Sequence, residues 1–196
     1  LELRTPANKM LGETWVPLQN RDVAYYGQPI GFVVAETFEQ ARDAAMLVEV
    51  TYRSLPARTS LSDGLATAED GPPAMDGSAP SLSVLADGVE SIEDALAASP
   101  VVVEATYSTA GQNHAAMEPH SAVAVWESGT LTVYSGTQGS DLQAAELAFA
   151  LQADPGSVHA VNPYVGGAFG GKGRTSVPAF LAAAAARALD RPVKAA

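Results

Sequence analysis

At 196 residues, with 47% hydrophobic and 17% charged side chains, the chain is long enough for one or two domains, and its composition excludes wholesale disorder. No apolar run approaches the length of about 18 residues needed to span a membrane, and a net charge of −11 excludes nucleic acid and anionic membranes as partners. Zero cysteines exclude disulfides, a thiolate nucleophile and cysteine-ligated zinc or iron–sulfur clusters from these residues.

Leu1-Glu2-Leu3-Arg4-Thr5-Pro6 has no basic region followed by an apolar stretch, so no signal peptide is expected, and the lack of an initiating Met reads as a chain that begins inside a longer protein. Residues 23–26 and 30–35 are apolar runs around a Gly27-Gln28-Pro29 turn and read as strands. Thr37 with Gln40 forms a capping box, and Ala41, Ala44, Ala45 and Val48 recur at i, i+3, i+4 and i+7, which predicts a helix with one apolar face. Residues 48–52 return as a strand. Residues 54–88 are rich in Pro, Gly, Ser and Asp without periodicity and read as a long surface loop or linker. Ser91 with Asp94 opens a short helix through Ala98, and residues 100–107 form a predicted strand.

Residues 122–126 and 131–134 alternate on either side of Ser128-Gly129, the pattern of a hairpin. Asp141 starts a helix whose buried face is marked by Ala144, Leu147, Ala148 and Leu151. Residues 158–161 form a strand that enters a glycine loop. Pro178 fits only the first turn of a final, alanine-rich helix, which runs to about Leu189 before Pro192.

The loop Val165-Gly166-Gly167-Ala168-Phe169-Gly170-Gly171-Lys172-Gly173 exposes bare backbone where a strand is expected to turn into a helix, so its N–H groups and the helix dipole predict an anion-binding site. The acidic excess lies in residues 1–105, with 16 acidic and 6 basic side chains, while residues 106–196 hold 6 and 5. Those five basic residues, Lys172, Arg174, Arg187, Arg191 and Lys194, all lie at or after the loop, in keeping with an anionic ligand or with the helix dipole alone. From Gly166 to Gly171-Lys172 the spacing nearly satisfies the nucleotide-binding P-loop pattern, but Gly173 stands where a hydroxyl must reach magnesium.

Two polar clusters stand out besides the loop. Gln112, His114, Glu118 and His120 sit between a strand and the hairpin, where a loop can line a pocket. His114, Glu118 and His120 lack the H-E-x-x-H spacing of a zinc site, and Pro119 interrupts any helix that would align them, so a hydrogen-bond network is favoured over direct metal ligation. Thr137-Gln138 lies at a helix entry, where a Gln serves as a cap, a solvated residue or a ligand contact.

Taken in order, these segments resemble the large, molybdenum-binding subunit of the xanthine dehydrogenase and aldehyde oxidase family. Residues 23–56 resemble its α/β-hammerhead domain. Gln112, His114 and Met117-Glu118-Pro119 match a Q-x-H-x-x-M-E-P segment, Thr137-Gln138 a T-Q motif, residues 166–172 a G-G-x-F-G-x-K motif, and Pro192-Val193-Lys194 the stretch that follows. The resemblance implies an α+β fold, with a hammerhead portion at 1–105 and the start of a mixed α+β molybdopterin-binding domain at 106–196. It also implies a molybdenum–molybdopterin cofactor, with iron–sulfur clusters and FAD on partner subunits or domains. Gln138 is then expected to hydrogen-bond an oxo ligand of molybdenum. Gly167, Ala168, Phe169 and Gly170 are expected to contact the pterin, and Gln112, His114, Glu118 and Gly173 to lie in the substrate pocket or behind it.

The implied activity is hydroxylation of an electron-poor carbon with oxygen drawn from water, a glutamate acting as general base. That glutamate lies far beyond the glycine loop in the family, so no catalytic residue is expected in these 196 and the isolated piece is expected to be inactive. Gly173 replaces the glutamate with which purine-oxidising members recognise substrate, so an aldehyde or N-heterocycle is expected. Location in the cytoplasm is expected, with the periplasm as the alternative. A non-catalytic scaffold of the same fold and a P-loop nucleotide binder are the competing readings.

Overall fold

Ser128 and Gly129 adopt φ angles of 51° and 82°, and positive φ at both central residues lets a two-residue turn follow the natural twist of the strands it joins. In the computed structural model, which describes residues 16–65, 67 and 88–196, β1 (Ala122–Glu127) and β2 (Thr130–Ser135) pair antiparallel around that turn. Helix α4 (Ser140–Leu151) then carries the chain to β3 (Val158–Val161), parallel to β2. Helix α5 (Val177–Leu189) leads to β4 (Val193–Ala195), antiparallel to β1, giving the sheet order β3-β2-β1-β4. The fold is α+β, as the sequence predicts.

One face of this sheet is buried. Ala122 and Ala124 of β1 stand opposite Ser135 and Val133 of β2, and strand alternation sends this set toward the helices. They join Leu131, Leu147, Leu151 and Phe180 in a single core, with Val16 tucked against them. The alanines of α5 leave little side chain between helix and sheet; Ala179, Ala182, Ala183 and Ala186 are all fully buried. Arg187 ties the corner together. Its Nη1 donates to the Leu151 carbonyl at 2.6 Å, satisfying a terminal acceptor of α4, and its guanidinium lies 5.1 Å from the Trp126 ring centroid. Trp126 Nε1 in turn donates to the Ala183 carbonyl at 3.0 Å. On the other face Val123, Val125 and Thr132 are only partly covered and Tyr134 is exposed.

Among the described residues the chain forms two compact units, one from 16–53 and 114–196, the other from 54–65, 67 and 88–113. In the first, α1 (Phe38–Met46) is capped as expected, Thr37 Oγ1 accepting from the Gln40 amide at 3.2 Å, and Arg191 pairs with Glu36. In the second, Ser91 accepts from the Asp94 amide at 3.2 Å and opens α3 (Ile92–Ala98), and a one-turn helix, α2 (Leu61–Leu65), lies inside the expected loop. Residues 66 and 68–87 of that loop, and the first six residues, on which the signal-peptide reading rests, fall outside the described residues.

Four expected strands do not form. Residues 23–26, 30–35, 48–52 and 100–107 run without a partner strand among the described residues, and Tyr26, Val48, Tyr52, Val101, Val103 and Tyr107 are exposed. An apolar extended run becomes a strand only when a neighbour accepts and donates its backbone hydrogen bonds, and here none does. For the same reason the apolar face expected on α1 covers nothing; no residue of that helix is buried. Conversely, β4 is a strand that the sequence reading passes over.

Candidate functional site

Three loops of the first unit converge on the carboxylate of Glu118. Its Oε2 accepts from the Gly166 amide at 2.7 Å and from the ammonium of Lys172, while the Glu118 amide donates to the Gly166 carbonyl at 3.0 Å. The approach leaves no room for a side chain at Gly166, and one at Gly136 would displace the Glu118 carboxylate. A Cβ on Gly166 would lie 2.5 Å from Glu118 Cβ, and one on Gly136 would lie 2.7 Å from Glu118 Oε2. Lys172 itself is 2% exposed, so its charge is held by the carboxylate and withdrawn from solvent.

Gln138 is fixed by the same segment. Its amide donates to the Lys172 carbonyl at 2.9 Å, and its side-chain Oε1 accepts from the Lys172 amide at 3.2 Å. Only a carbonyl oxygen can accept from that N–H, so the carboxamide orientation is set and its NH2 is the group left to meet a ligand. Gln138 is exposed, and it is not a cap: the N-cap of α4 is Gly139. Thr137 and Asn162 brace this corner, Asn162 Nδ2 donating to the Thr137 carbonyl at 2.7 Å and Thr137 Oγ1 to the Lys172 carbonyl at 3.3 Å.

The glycine loop is closed at both ends and open in the middle. The Gly171 amide donates to the Ala168 carbonyl at 2.8 Å and the Gly173 amide to the Gly170 carbonyl at 3.4 Å. Between these bonds and the anchor at Gly166, the amides of Gly167, Ala168, Phe169 and Gly170 donate to no acceptor among the described residues. Gly167 and Gly170 have φ of 97° and 92°, and Phe169, a bulky residue, is held at φ 52° with 75% of its surface exposed. A left-handed conformation at a non-glycine residue costs on the order of 1 kcal/mol or more and is retained where the surroundings or a ligand fix it.

Beside the loop lies a cavity of about 250 Å³ lined in part by His114, Glu118, His120, Ala168 and Lys172. Hydrogen bonds from Lys172 and the Gly166 amide hold the Glu118 carboxyl below the ordinary carboxylate range. The His120 imidazole is lowered first by burial and then by the Lys172 charge, so it is neutral at pH 7. The sign for Glu118 follows from its direction. A carboxylate whose folded pKa lies below its unfolded value of 4.5 stabilises the folded state above that value and ceases to do so as pH falls through the folded pKa. We therefore expect the stability difference between the parent and Glu118→Gln to be constant above about pH 5 and to shrink below pH 4.5, read from melting curves across that range. A difference that is flat through acid would remove Glu118 as an anchor.

Several expectations change at this point. Helix α5 begins at Val177, beyond Lys172 and Gly173, so the loop presents its own turn amides and not the N-terminus of a helix. Four of the five basic residues at and after the loop are engaged by the protein: Lys172 by Glu118, Arg174 by Glu146, Arg187 by Leu151 and Arg191 by Glu36, while Lys194 is exposed on β4. At the loop itself any attraction for an anion thus comes from backbone amides. The P-loop reading fails because Lys172, which would have to reach nucleotide phosphates, is buried on Glu118. Of the residues expected in a hydrogen-bond network, Glu118 is bonded, to Gly166 and Lys172, whereas His114 and His120 line the cavity without a hydrogen bond among the described residues. Of the residues that the sequence reading did not single out, Asn162 braces Thr137 behind Lys172, and Gly136 packs against the Glu118 carboxylate. Gln112 belongs to the second unit, whereas His114 and Glu118 line the cavity, and Gly173 lies beside Gln138, its ideal Cβ position 4.0 Å from Gln138 Oε1.

Comparison with known proteins follows this geometry. Residues 81–196 match the family described as molybdopterin cofactor-binding domain, and residues 3–56 match the aldehyde oxidase and xanthine dehydrogenase a/b hammerhead domain. The aldehyde oxidoreductase molybdenum-binding subunit PaoC of Escherichia coli (strain K12) is 41% identical over 172 residues, covering 88% of this chain and 22% of that protein. Nicotinate hydroxylase hnxS of Emericella nidulans is 32% identical over 179 residues, covering 88% of this chain and 13% of the relative. Among solved structures, quinoline 2-oxidoreductase from Pseudomonas putida 86 superposes with a TM-score of 0.60 at 29% identity, covering 82% of this chain and 20% of that one. The chain thus spans about a fifth of the length of PaoC and of the quinoline 2-oxidoreductase chain, and less of hnxS. With the loop, the T-Q corner and both domain signatures in one order, the chain belongs to the molybdopterin cofactor-binding domain family of the aldehyde oxidases and xanthine dehydrogenases.

Proposed function

We propose that this chain is part of the large subunit of a molybdenum hydroxylase and forms one wall of its molybdopterin site. The reading is carried by the four adjacent amides of Gly167, Ala168, Phe169 and Gly170, which donate to no acceptor among the described residues and lie on a loop braced on both sides. A pterin carries ring acceptors and an anionic phosphate, and such a row of donors suits both. Gln138 adds a carboxamide NH2 with nothing else to do, offered as a hydrogen-bond donor toward the metal. Residues and group therefore fit. The chemistry the molybdopterin centre supplies when bound is two-electron oxidation of an electron-poor carbon with oxygen from water.

The chain's own residues bind and orient. Glu118 and Lys172 fix the loop, Gln138 supplies a preorganised donor, and His114 and neutral His120 border the cavity beside them. Residues 1–105 act as the hammerhead portion and 106–196 as the start of the cofactor-binding domain. The substrate class we favour is an aldehyde or N-heterocycle: Gly173 offers no carboxylate for a purine, and relatives are named for aldehyde, nicotinate and quinoline. Electrons leave to iron–sulfur and flavin groups on partner subunits or domains, since a chain without cysteine has no thiolate for a cluster.

Metal analysis tests this reading. The full-length protein is expected to carry molybdenum stoichiometrically, and residues 1–196 alone to retain none, because they span about a fifth of the relatives' length. A full-length protein that purifies without molybdenum from molybdate-replete cells, while still folded, would contradict it.

A further inference from the structure

Glu146 is a buried carboxylate for which the site described so far has no use. It projects from the inner side of α4 with its side chain 5% exposed, an expensive place for a charge unless it is paired and fully hydrogen-bonded. Its partners are two consecutive residues at the exit of the glycine loop. Oε1 lies 2.7 Å from Arg174 Nη1, and Oε2 accepts from the Thr175 amide at 2.9 Å. Gln138 directly precedes Gly139, the N-cap of the same helix, so the T-Q carboxamide enters the element that carries the clamp on the loop exit.

We infer that Glu146 is a positioning residue for the cofactor site: through α4 it fixes the exit of the glycine loop relative to Gln138, so that loop amides and carboxamide keep one spacing. Glu118 anchors the loop near its entrance at Gly166, Gln138 grips Lys172, and Glu146 holds residues 174–175. Without the third anchor the chain beyond Lys172 is no longer fixed to α4, and the exit of the loop is held by the bonds of Lys172 to Gln138 and Glu118 alone. The amides of Gly167 to Gly170, which donate to no acceptor among the described residues, are then held in one arrangement less firmly, and the entropy of ordering them falls on cofactor binding.

This inference rests on the proposed molybdopterin site, and its test separates the two. The double variant Glu146→Leu/Arg174→Met, made in the full-length protein, replaces a buried ion pair by apolar side chains of similar volume, an exchange proteins often tolerate. We expect it to melt like the parent, to exchange the hydrogen-bonded amides of Gly171, Lys172 and Gly173 at least about tenfold faster in its cofactor-free form, to leave β1 and β2 exchange unchanged, and to hold about 10- to 100-fold less molybdenum. A variant that melts normally with parental loop exchange and parental molybdenum overturns the inference. Should the double variant not fold, Glu146→Gln decides. It keeps an acceptor for the Thr175 amide and gives up the ion pair, so faster loop exchange over intact strands supports the role and unchanged exchange refutes it. Because exchange is read without metal, a parent lacking molybdenum would sink the proposed function while leaving Glu146 to be judged on its own.

Discussion

Replacing Gln138 by leucine in the full-length protein is expected to leave molybdenum bound and to lower kcat by about 10²- to 10³-fold, the usual cost of deleting one preorganised donor at a reacting centre. The expectation follows from how the carboxamide is used. Its oxygen is engaged by the Lys172 amide at 3.2 Å, and its backbone bonds Lys172 independently at 2.9 Å, so the corner keeps its shape when the side chain loses polarity. What disappears is the NH2. The substitution Gln138→Glu makes the contrast sharper: it retains the acceptor for the Lys172 amide and removes the donor, so its activity should fall with that of the leucine variant. Steady-state kinetics with molybdenum content measured on the same samples decide the matter. A kcat within about threefold of the parent in both variants would show that this donor plays no part in the chemistry.

Gly166→Ala is expected to have the largest effect on the integrity of the site. The added methyl would sit 2.5 Å from Glu118 Cβ, the stem of that side chain and not its flexible end, so either the loop or residue 118 must move. Overpacking of this kind costs about 1–3 kcal/mol. The movement also breaks the paired bonds between Gly166 and Glu118 and uncouples the carboxylate from Lys172. A loss of about 10- to 100-fold in retained molybdenum is expected alongside a lower melting temperature, in line with disturbing groups behind a metal site. Gly156→Ala is the control, because a Cβ there meets nothing closer than 3.5 Å. Equal behaviour of the two alanine variants would contradict the packing described around Glu118.

Much of the fold can be read from local chemistry. The Ser128-Gly129 turn announces its hairpin, Thr37 with Gln40 and Ser91 with Asp94 announce two helix starts, and Pro178 marks the first turn of α5, because each signal acts over a few residues. The unpaired runs at 23–26, 30–35, 48–52 and 100–107 are legible only as apolar and extended. Whether such a run is a strand depends on a neighbour that no local pattern specifies. The three residues of β4 are too short to alternate visibly, and their pairing joins the end of the sequence to Ala122–Ala124 of the first strand.

The site divides in the same way. Its glycine loop and Thr137-Gln138 stand out as motifs, since bare backbone and an amide at a helix entry are local features. The bonds that make them a site join residues 48, 54 and 34 positions apart, Gly166 to Glu118, Lys172 to Glu118 and Lys172 to Gln138. A lysine after a glycine loop reads as a phosphate ligand until its burial on Glu118 is seen. Glu146 was invisible for a related reason: on a helix with Asp141 in its first turn, it reads as one more acidic residue, and only the folded chain brings Arg174 and Thr175 to it.

The most direct measurement is a structure of the full-length protein with its cofactor in place. The account predicts the Gln138 carboxamide nitrogen and the amides of Gly167 through Gly170 on one side of the bound group, with donors about 3 Å from its acceptor atoms. A cofactor seated elsewhere, with those amides facing solvent and Gln138 turned from the metal, would contradict it.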